Sequence, residues 1–230
     1  MNEYNNYDFE QVNRISRSDF LSNVFTYLGI GLGLSALGAL IGYYFLPLLG
    51  EAYSIVMIVL IVLELVMAFM MGRNLEGRPT STVRLMFTAY SFINGLTLSI
   101  IIAVYTTASL LMAFVTTTVV FVSLAVIGKT TKFDLTSFGR VFIVGLLICI
   151  VVSTVNMFLF KATGIEVALC YVETLLFMGL IAYDMQMIDR YYGQSDNENY
   201  AIFAAFQLEL DFINLLLRVL QLFGVRRDDR

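Results

Sequence analysis

The sequence contains no histidine and no tryptophan, and it has only two cysteines and two prolines. Without histidine, the chain lacks the side chain that most often changes charge near neutral pH, which is also the commonest metal ligand. A Ser-His catalytic arrangement and an HExxH zinc site are excluded for the same reason. The two cysteines, Cys149 and Cys170, lie inside apolar runs, which is typical of small packing residues rather than of a disulfide or metal pair. Any response to pH must therefore come chiefly from carboxylates.

Charged side chains are also scarce, since they make up 14% of the 230 residues while hydrophobic side chains make up 59%. Soluble domains average about 25% charged residues, so this composition is typical of an integral membrane protein whose main partner is the lipid bilayer. The net charge of −4 and the lack of a large basic cluster argue against nucleic acid as a partner. The first 20 residues are polar and do not form a signal peptide.

Seven apolar runs are long enough to cross a bilayer as helices. They cover residues 21–46, 53–71, 84–105, 107–127, 139–160, 165–188 and 201–224. We therefore predict an all-α polytopic membrane protein, a seven-transmembrane-helix bundle forming one domain over residues 21–224. A cytoplasmic tail over residues 1–20 precedes this domain, and a short tail over residues 225–230 follows it.

Lysine and arginine collect in alternate loops and in the first tail, which predicts a cytoplasmic amino terminus. Three arginines follow the last run: Arg226, Arg227 and Arg230. Seven complete crossings would place them outside, which disagrees with the pattern of the other loops. Either the last run is re-entrant or these arginines do not set the topology. Full crossing is favoured because residues 201–223 contain neither glycine nor proline. Short loops and the absence of N-glycosylation sequons favour a bacterial inner membrane.

The last apolar run carries a polar stripe. Four polar residues follow each other at spacings of four, three and four, so they share one face of the helix. They are Gln207, Asp211, Asn214 and Arg218. A bare carboxylate at the centre of a bilayer costs at least about 2.5 to 3.5 kcal/mol, so this helix should lie inside the bundle. Asp211 is then a candidate functional residue. Glu209 lies about 200° away around the helix and should contact a different helix.

The sixth apolar run contains two more carboxylates, Glu173 and Asp184, on nearly the same face and roughly 16 Å apart along the axis. The loop at 189–200 makes the last two runs antiparallel, which allows Asp184 to face Asp211. Two carboxylates held together in a low dielectric share a proton, and without that proton they repel or recruit a cation such as calcium. Gln207 and Asn214 are candidate auxiliary ligands. Glu173 has two open roles, in an outer vestibule or in ion binding.

Two segments resemble the late signatures of the transmembrane Bax inhibitor motif family: Ala-Tyr-Asp-Met-Gln-Met-Ile at Ala182 to Ile188, and Leu-Asp-Phe-Ile-Asn-Leu-Leu at Leu210 to Leu216. The resemblance implies a seven-helix bundle with the last helix at its centre. It further implies a pH-sensitive calcium leak in which Asp184 and Asp211 sense protons and gate the pore. An arginine latch is implied at the end of the second helix, where Arg73 is the nearest match, and Glu64 matches an acidic position in that helix.

The resulting hypothesis is a non-enzymatic protein, without a cofactor, that lets calcium ions through under the control of protons. Its ion pathway would include Glu64, Glu173, Gln207 and Asn214. The leading alternative is a non-transporting regulator that binds a membrane protein partner, such as a membrane protease or a cell-death component. A scaffold of that kind would not need the buried acidic residues. A two-aspartate membrane protease is a third interpretation.

Overall fold

The computed structural model describes residues 16–194 and 198–229, and across these ranges the chain is helical with no β-strand. The helices are α1 (Arg17–Phe45), α2 (Tyr53–Met71), α3 (Thr80–Val104), α4 (Thr107–Thr130), α5 (Gly139–Val155), α6 (Thr163–Gln194) and α7 (Glu198–Phe223). Short 3-10 or π turns follow α1, α5 and α7 and precede α5. The all-α membrane fold is thus confirmed. Most of the predicted tail at 1–20 lies outside the described residues, and α1 already begins at Arg17.

The predicted count of seven separate spans is off by one. Within the described residues, six continuous helical segments are long and apolar enough to cross a membrane. The difference arises because α1 and α2 are joined by a 3-10 turn, Leu46–Ala52, into one helical segment, Arg17–Met71. Pro47 suits the start of this turn because its missing N–H is not needed there. Gly50 has φ 55°, a backbone angle that glycine adopts without steric cost, and it bends the chain.

Helix α7 occupies the centre of the bundle, where it packs against α1, α3, α4 and α6. Its buried side chains extend along most of its length, from Ala201 to Leu220. Phe206 meets Tyr90 of α3 edge-on at 4.9 Å, and Phe212 meets Phe121 of α4 at 5.5 Å. Lipid is as apolar as these side chains, so close packing rather than escape from water holds the helices together. The predicted central position of the last helix is confirmed.

Helices α1 and α3 approach each other most closely where small residues face each other. A Cβ atom added to Gly95 would lie 2.2 Å from the carbonyl oxygen of Ser35, and one added to Gly38 would lie 2.4 Å from that of Phe92. Only glycine permits backbones to come this close. Gly38 of α1 and Gly95 of α3 therefore serve the packing of these two helices.

Helix α7 runs the full length of the bundle. Near its start, Asn199 Nδ2 donates to the carbonyl oxygen of Leu75 at 2.7 Å, in the loop before α3. Just beyond its end, the carbonyl oxygen of Val225 accepts from the Thr106 amide at 3.1 Å, in the turn after α3. Because these two loops lie at opposite ends of α3, α7 extends along the whole length of that helix, as a complete crossing requires.

One of the arginines that follow α7 has a clear structural role. Arg227 Nε donates to the carbonyl oxygen of Tyr105 at 3.0 Å, and its guanidinium lies 5.9 Å from the ring centroid of Tyr43. This arginine thus fastens the segment after α7 to the ends of α1 and α3. Its position is explained by these contacts, without any return of the chain to the other side of the bilayer.

Candidate functional site

The side chains of Asp184 on α6 and Asp211 on α7 lie close enough for a hydrogen bond between them, inside the bundle. They are 6% and 5% exposed. A carboxylate can only accept a hydrogen bond, so a bond between two carboxyl groups requires that one of them carries a proton. Asp211 Oδ2 has no hydrogen-bond partner within the described part of the chain. The structure therefore brings together the two residues singled out in the sequence, and it leaves one buried oxygen of the pair free.

The two aspartates meet because α6 is longer than its apolar run. The helix continues to Gln194, six residues beyond the predicted end at 188. Asp184 is consequently ten residues, or about 15 Å, from the end of α6, and Asp211 is thirteen residues, or about 20 Å, from the start of α7. These similar distances place both carboxyl groups at comparable depth.

Helix α4 presses against α6 immediately before Asp184. A Cβ atom on Gly128 would lie 2.4 Å from the carbonyl oxygen of Ala182. The α4–α5 loop is tied to the other side of Asp184, since Gln186 Nε2 donates to the Phe133 carbonyl at 2.8 Å and Gln186 Oε1 accepts from the Leu135 amide at 2.9 Å. Asp184 is thus held on a fixed stretch of helix.

Asp134, in the same loop, is an exposed carboxylate that differs from the buried pair. The hydroxyl of Thr136 donates a hydrogen bond to it, and the Thr136 amide donates another at 2.9 Å. These two bonds, in that order, lower the pKa of Asp134 below its ordinary value. Asp134 therefore stays ionised throughout the physiological range and adds no titration there.

Gln207 and Asn214, the predicted auxiliary ligands, lie in different environments. Gln207 Oε1 accepts from the hydroxyl of Tyr191 on α6 at 2.8 Å, so it contacts the helix that carries Asp184. Asn214 Nδ2 donates to the Leu210 carbonyl of its own helix at 2.8 Å, and its side chain lines a cavity together with Glu64. The structure does not bring Asn214 to the aspartate pair through any contact among the described residues.

Glu64 lies on α2, and Arg73 follows the end of that helix. The exposed guanidinium of Arg73 stacks over the ring of Phe69 at 5.2 Å, and no ion pair in the described ranges joins it to either aspartate. Glu64 is half-buried and accepts from Asn94 Nδ2 at 2.6 Å and from Thr97 Oγ1 at 2.8 Å. The latch role of Arg73 stays a prediction.

Glu173 is separate from the pair and faces a cation. Arg218 Nη1 lies 2.9 Å from Glu173 Oε2 and forms an ion pair with it, at an angle that does not make a hydrogen bond. The same nitrogen of Arg218 donates a hydrogen bond to Gln221 Oε1 at 2.6 Å. Glu173 is buried, whereas the Arg218 side chain is 28% exposed. A buried charge of this kind is costly unless paired, so Arg218 is the group that balances Glu173. Neither of the two roles predicted for Glu173, in an outer vestibule or in ion binding, includes a pairing with Arg218.

Glu209 is a buried acidic residue whose partners are not evident from the sequence. It is completely buried and accepts from Ser35 Oγ and Ser91 Oγ at 2.8 Å each. These serines come from α1 and α3, so Glu209 does contact different helices from Asp211, as its angular position predicts. The spacing of Ser35 and Ser91 carries no signal that would identify them as its partners.

No group of three or more histidine, cysteine, aspartate or glutamate side chains capable of holding a metal ion occurs in the described parts of the chain. A calcium ion at Asp184 and Asp211 would have two carboxylates and would take its remaining ligands from water or carbonyl oxygens.

A helical bundle with a buried carboxyl pair between its last two helices defines a polytopic membrane protein with ionisable groups at its centre. The family model for inhibitor of apoptosis-promoting Bax1 matches residues 17–228, and the chain belongs to this family, the Bax inhibitor-1 family. The resemblance drawn from the two late motifs is thereby confirmed.

Several bacterial proteins are similar over nearly the whole chain. The inner membrane protein YbhL of Escherichia coli K12 is 32% identical over 222 residues, which cover 93% of this chain and 94% of that protein. Protein YrjE of Lactococcus lactis subsp. lactis is 32% identical over 237 residues, with 98% of each chain covered. A protein of Borreliella burgdorferi is 34% identical over 220 residues, covering 93% and 94%.

Proposed function

We propose that this protein is a pH-regulated calcium leak of a bacterial inner membrane, gated by the Asp184–Asp211 pair. The observation that carries the proposal is that these two buried carboxyl groups, on α6 and α7, lie within hydrogen-bonding reach of each other. A proton shared between two helices holds them together, and its loss leaves two like charges in their place. The relative in E. coli is named an inner membrane protein, which supports the same location for this chain.

The repulsion between the deprotonated carboxylates is large enough to shift a conformational equilibrium. Two unit charges 4 Å apart interact by about 4 kcal/mol at an effective dielectric constant of about 20. Since about 1.4 kcal/mol corresponds to a tenfold change, this repulsion changes the ratio of closed to open states by roughly a thousandfold. Deprotonation of Asp184 and Asp211 therefore separates α6 from α7 or draws in a cation.

Calcium is the cation whose chemistry suits the deprotonated pair. It takes hard oxygen ligands at about 2.3 to 2.6 Å, and its two positive charges balance two carboxylates. The unpartnered Oδ2 of Asp211 supplies one such ligand without breaking an existing hydrogen bond. In this scheme Glu64, Glu173, Gln207 and Asn214 remain candidates for the rest of the ion path, and Arg73 for the latch.

The test is calcium influx into liposomes that contain the purified protein, measured between about pH 5 and 8, the range over which a buried carboxyl pair exchanges its proton. We expect influx to rise with pH, because loss of the shared proton opens the path. In Asp211→Asn, and separately in Asp184→Asn, influx should lose its pH dependence. Glu166→Gln, which changes an exposed carboxylate of the same helix α6, is the matched control and should keep the wild-type profile.

Absence of influx above empty liposomes at every pH would contradict the proposal. The pair would then act only as a structural link, and the alternative of a regulator that binds a membrane protein partner would take its place. Cleavage of a model peptide in detergent, lost in the same aspartate variants, would instead indicate a two-aspartate protease.

A further inference from the structure

An apolar groove of about 330 Å³ lies between α1 and α4, and neither Asp184 nor Asp211 lines it. Helices α3 and α7 form the rest of its wall. Both α1 and α4 pack against α7, but they do not pack extensively against each other within the described residues, which leaves a gap between them. Leu40 of α1 and Leu111 of α4 line the groove and are 51% and 63% exposed. The groove therefore opens sideways, towards the lipid that surrounds the bundle.

The lining of the groove suits a hydrocarbon. Ser35 is the only residue with a polar side chain among the described residues that line it, and its hydroxyl already donates to Glu209 Oε1 at 2.8 Å. An apolar space of this kind does not hold water, and leaving it empty would deprive the lining side chains of contacts on one side. Its volume lies within the range of about 300 to 1,000 Å³ that is usual for sites of small ligands. The occupant should thus be a hydrocarbon chain.

The groove lies in the half of the bundle that is predicted to face outward. Ile102 and Leu110, which line it, flank the turn between α3 and α4, and Leu220 lines it close to the end of α7. The residues before Ser16 are polar and join the opposite end of α1, so they are not suited to this groove. A helix of a second copy is about 10 to 12 Å across and too wide for a space of this volume. An acyl chain of an outer-leaflet lipid is narrow, apolar and already present beside the opening.

Two arginines lie at the outer rim of the groove. The segment that carries them rests on the turn between α3 and α4, where the Val225 amide donates to Ser109 Oγ at 2.9 Å. The backbone of Arg226 pairs with that of Tyr105 in the same place. Arg226 and Arg227 are both exposed. A guanidinium binds two phosphate oxygens at once, and tyrosine is enriched where a membrane meets water. These side chains therefore stand where the phosphate of an outer-leaflet phospholipid lies.

We propose that the groove binds one acyl chain of an outer-leaflet phospholipid, and that Arg226 and Arg227 hold the phosphate of this lipid. The chain fills the gap between α1 and α4 and completes the packing around α7, where Phe212 and Ile213 line the groove. Arg226 thereby gains a partner that accounts for a positive charge on the outer side, where the lysine and arginine pattern does not predict one. This proposal does not depend on the passage of calcium.

The experiment maps lipid contacts on the purified protein in nanodiscs of phosphatidylglycerol, with a trace of the same lipid carrying a photoreactive diazirine halfway along one acyl chain. After irradiation, peptide mass spectrometry locates the labelled residues. We expect Leu111 and Phe114 to take at least about threefold more label than Val151, an exposed residue of α5 that contacts bulk lipid. A diacylglycerol probe with the same diazirine chain lacks the phosphate, so it should label the groove less, relative to Val151, than the phospholipid probe does.

Ala36→Phe fills the groove from α1 and should reduce its labelling to the level of Val151. Ala103→Phe is the matched control, since Ala103 is also exposed on a helix but is not among the described residues that line the groove, and it should keep the wild-type pattern. If Ala36→Phe does not fold, Arg226→Gln at the exposed rim is the second variant. It should remove the preference for the phospholipid probe over the diacylglycerol probe.

Equal labelling of the groove and of Val151 in the wild type would mean that the groove meets only bulk lipid, and it would overturn the proposal. A groove that takes less label than Val151, in a protein whose native mass is that of two chains, would assign the groove to a second copy instead. Equal labelling by the phospholipid and diacylglycerol probes would overturn the role of the arginines. Asp211→Asn should keep the wild-type pattern, so a failure here is distinct from a failure of the calcium leak.

Discussion

The charges of the buried carboxyl groups in this protein are balanced by different partners, and the partner determines whether a carboxyl group can act as a switch. Glu173 faces the guanidinium of Arg218, so its charge is neutralised by a fixed cation. Glu209 receives two hydroxyl hydrogen bonds and no cation among the described residues. Asp184 and Asp211 face each other, and in the proposed closed state a single shared proton balances them. When the pair has lost its proton, two like charges face each other across two helices, which makes this arrangement suited to switching.

The serines that bind Glu209 should contribute measurably to stability. Ser35→Ala and Ser91→Ala each remove one hydroxyl donor from a completely buried carboxyl group. We expect each to lower the free energy of unfolding by about 1 kcal/mol, because the lost hydrogen bond has no replacement from water at that depth. Unfolding in detergent, followed by circular dichroism, measures this change.

The control for these variants is Ser123→Ala. Ser123 is exposed on α4 and its hydroxyl donates only to the Val119 carbonyl of its own helix, so its loss should leave stability nearly unchanged. Equal stability of the Ser35, Ser91 and Ser123 variants would mean that Glu209 does not depend on its two hydroxyl donors.

At the scale of helices, the position of Asp184 depends on the contact between α4 and α6. Gly128 abuts the backbone of Ala182, two residues before Asp184, with no room for a Cβ atom. A side chain there must move one backbone relative to the other. The contact therefore fixes where α6 presents its carboxyl group to α7.

Gly128→Ala should accordingly destabilise the protein by about 1 to 3 kcal/mol, the usual cost of overpacking against a backbone. Gly33→Ala is the matched control, since Gly33 also lies within a helix but has no atom within 4 Å of the added Cβ. That variant should be neutral or more stable by up to about 1 kcal/mol, because alanine favours the helix. Thermal unfolding of both variants measures the difference, and similar shifts of the same sign would contradict it.

The apolar runs predict the helices well because a membrane span must be both long and apolar. The run at 53–71 coincides with α2, and the run at 201–224 lies close to α7. The end of α6 is less predictable, since residues 189–192 are charged or aromatic and Gly193 follows them, yet they continue the helix beyond the apolar core. The joining of α1 to α2 is equally hidden, because Pro47 and Gly50 normally indicate a break.

Contacts between helices are harder to predict than the helices themselves. The angular position of Asp211 indicates a protein-facing side, and the antiparallel connection brings Asp184 to it. The same reasoning does not show that Arg218 faces Glu173 or that Glu64 binds Asn94. Spacing along one helix identifies a face, whereas the residue opposite depends on how far each neighbouring helix has shifted along its axis.

For the molecule as a whole, the ends of α7 determine which loops lie on the same side of the membrane. The segment after α7 contacts the turn after α3, and the start of α7 contacts the loop before α3. Combined with the lysine and arginine pattern, this predicts that the loops before α3 and before α5 face the cytoplasm. The residues after α7 should then face outward.

Cysteine labelling in intact cells tests this orientation. A membrane-impermeant maleimide should label Asp228→Cys directly, but should label Lys132→Cys only after the membrane is permeabilised. Both positions are exposed. The wild type is the control and should stay unlabelled, because Cys149 and Cys170 are buried. The opposite pattern of labelling would reverse the orientation, and equal access at both positions would contradict a full crossing by α7.

The central position of α7 has a consequence for how the protein is made. The other six helices precede it in the chain, so they leave the ribosome first and enter the membrane without the helix around which they pack. At about 5 to 20 residues per second, the 26 residues of α7 take roughly 1 to 5 s to synthesise. During that time Ser35, Ser91 and Asp184 have no α7 partner and are exposed to lipid or to neighbouring proteins. A chain that stalls before Glu198 would present these polar groups to the membrane proteases that remove incomplete proteins.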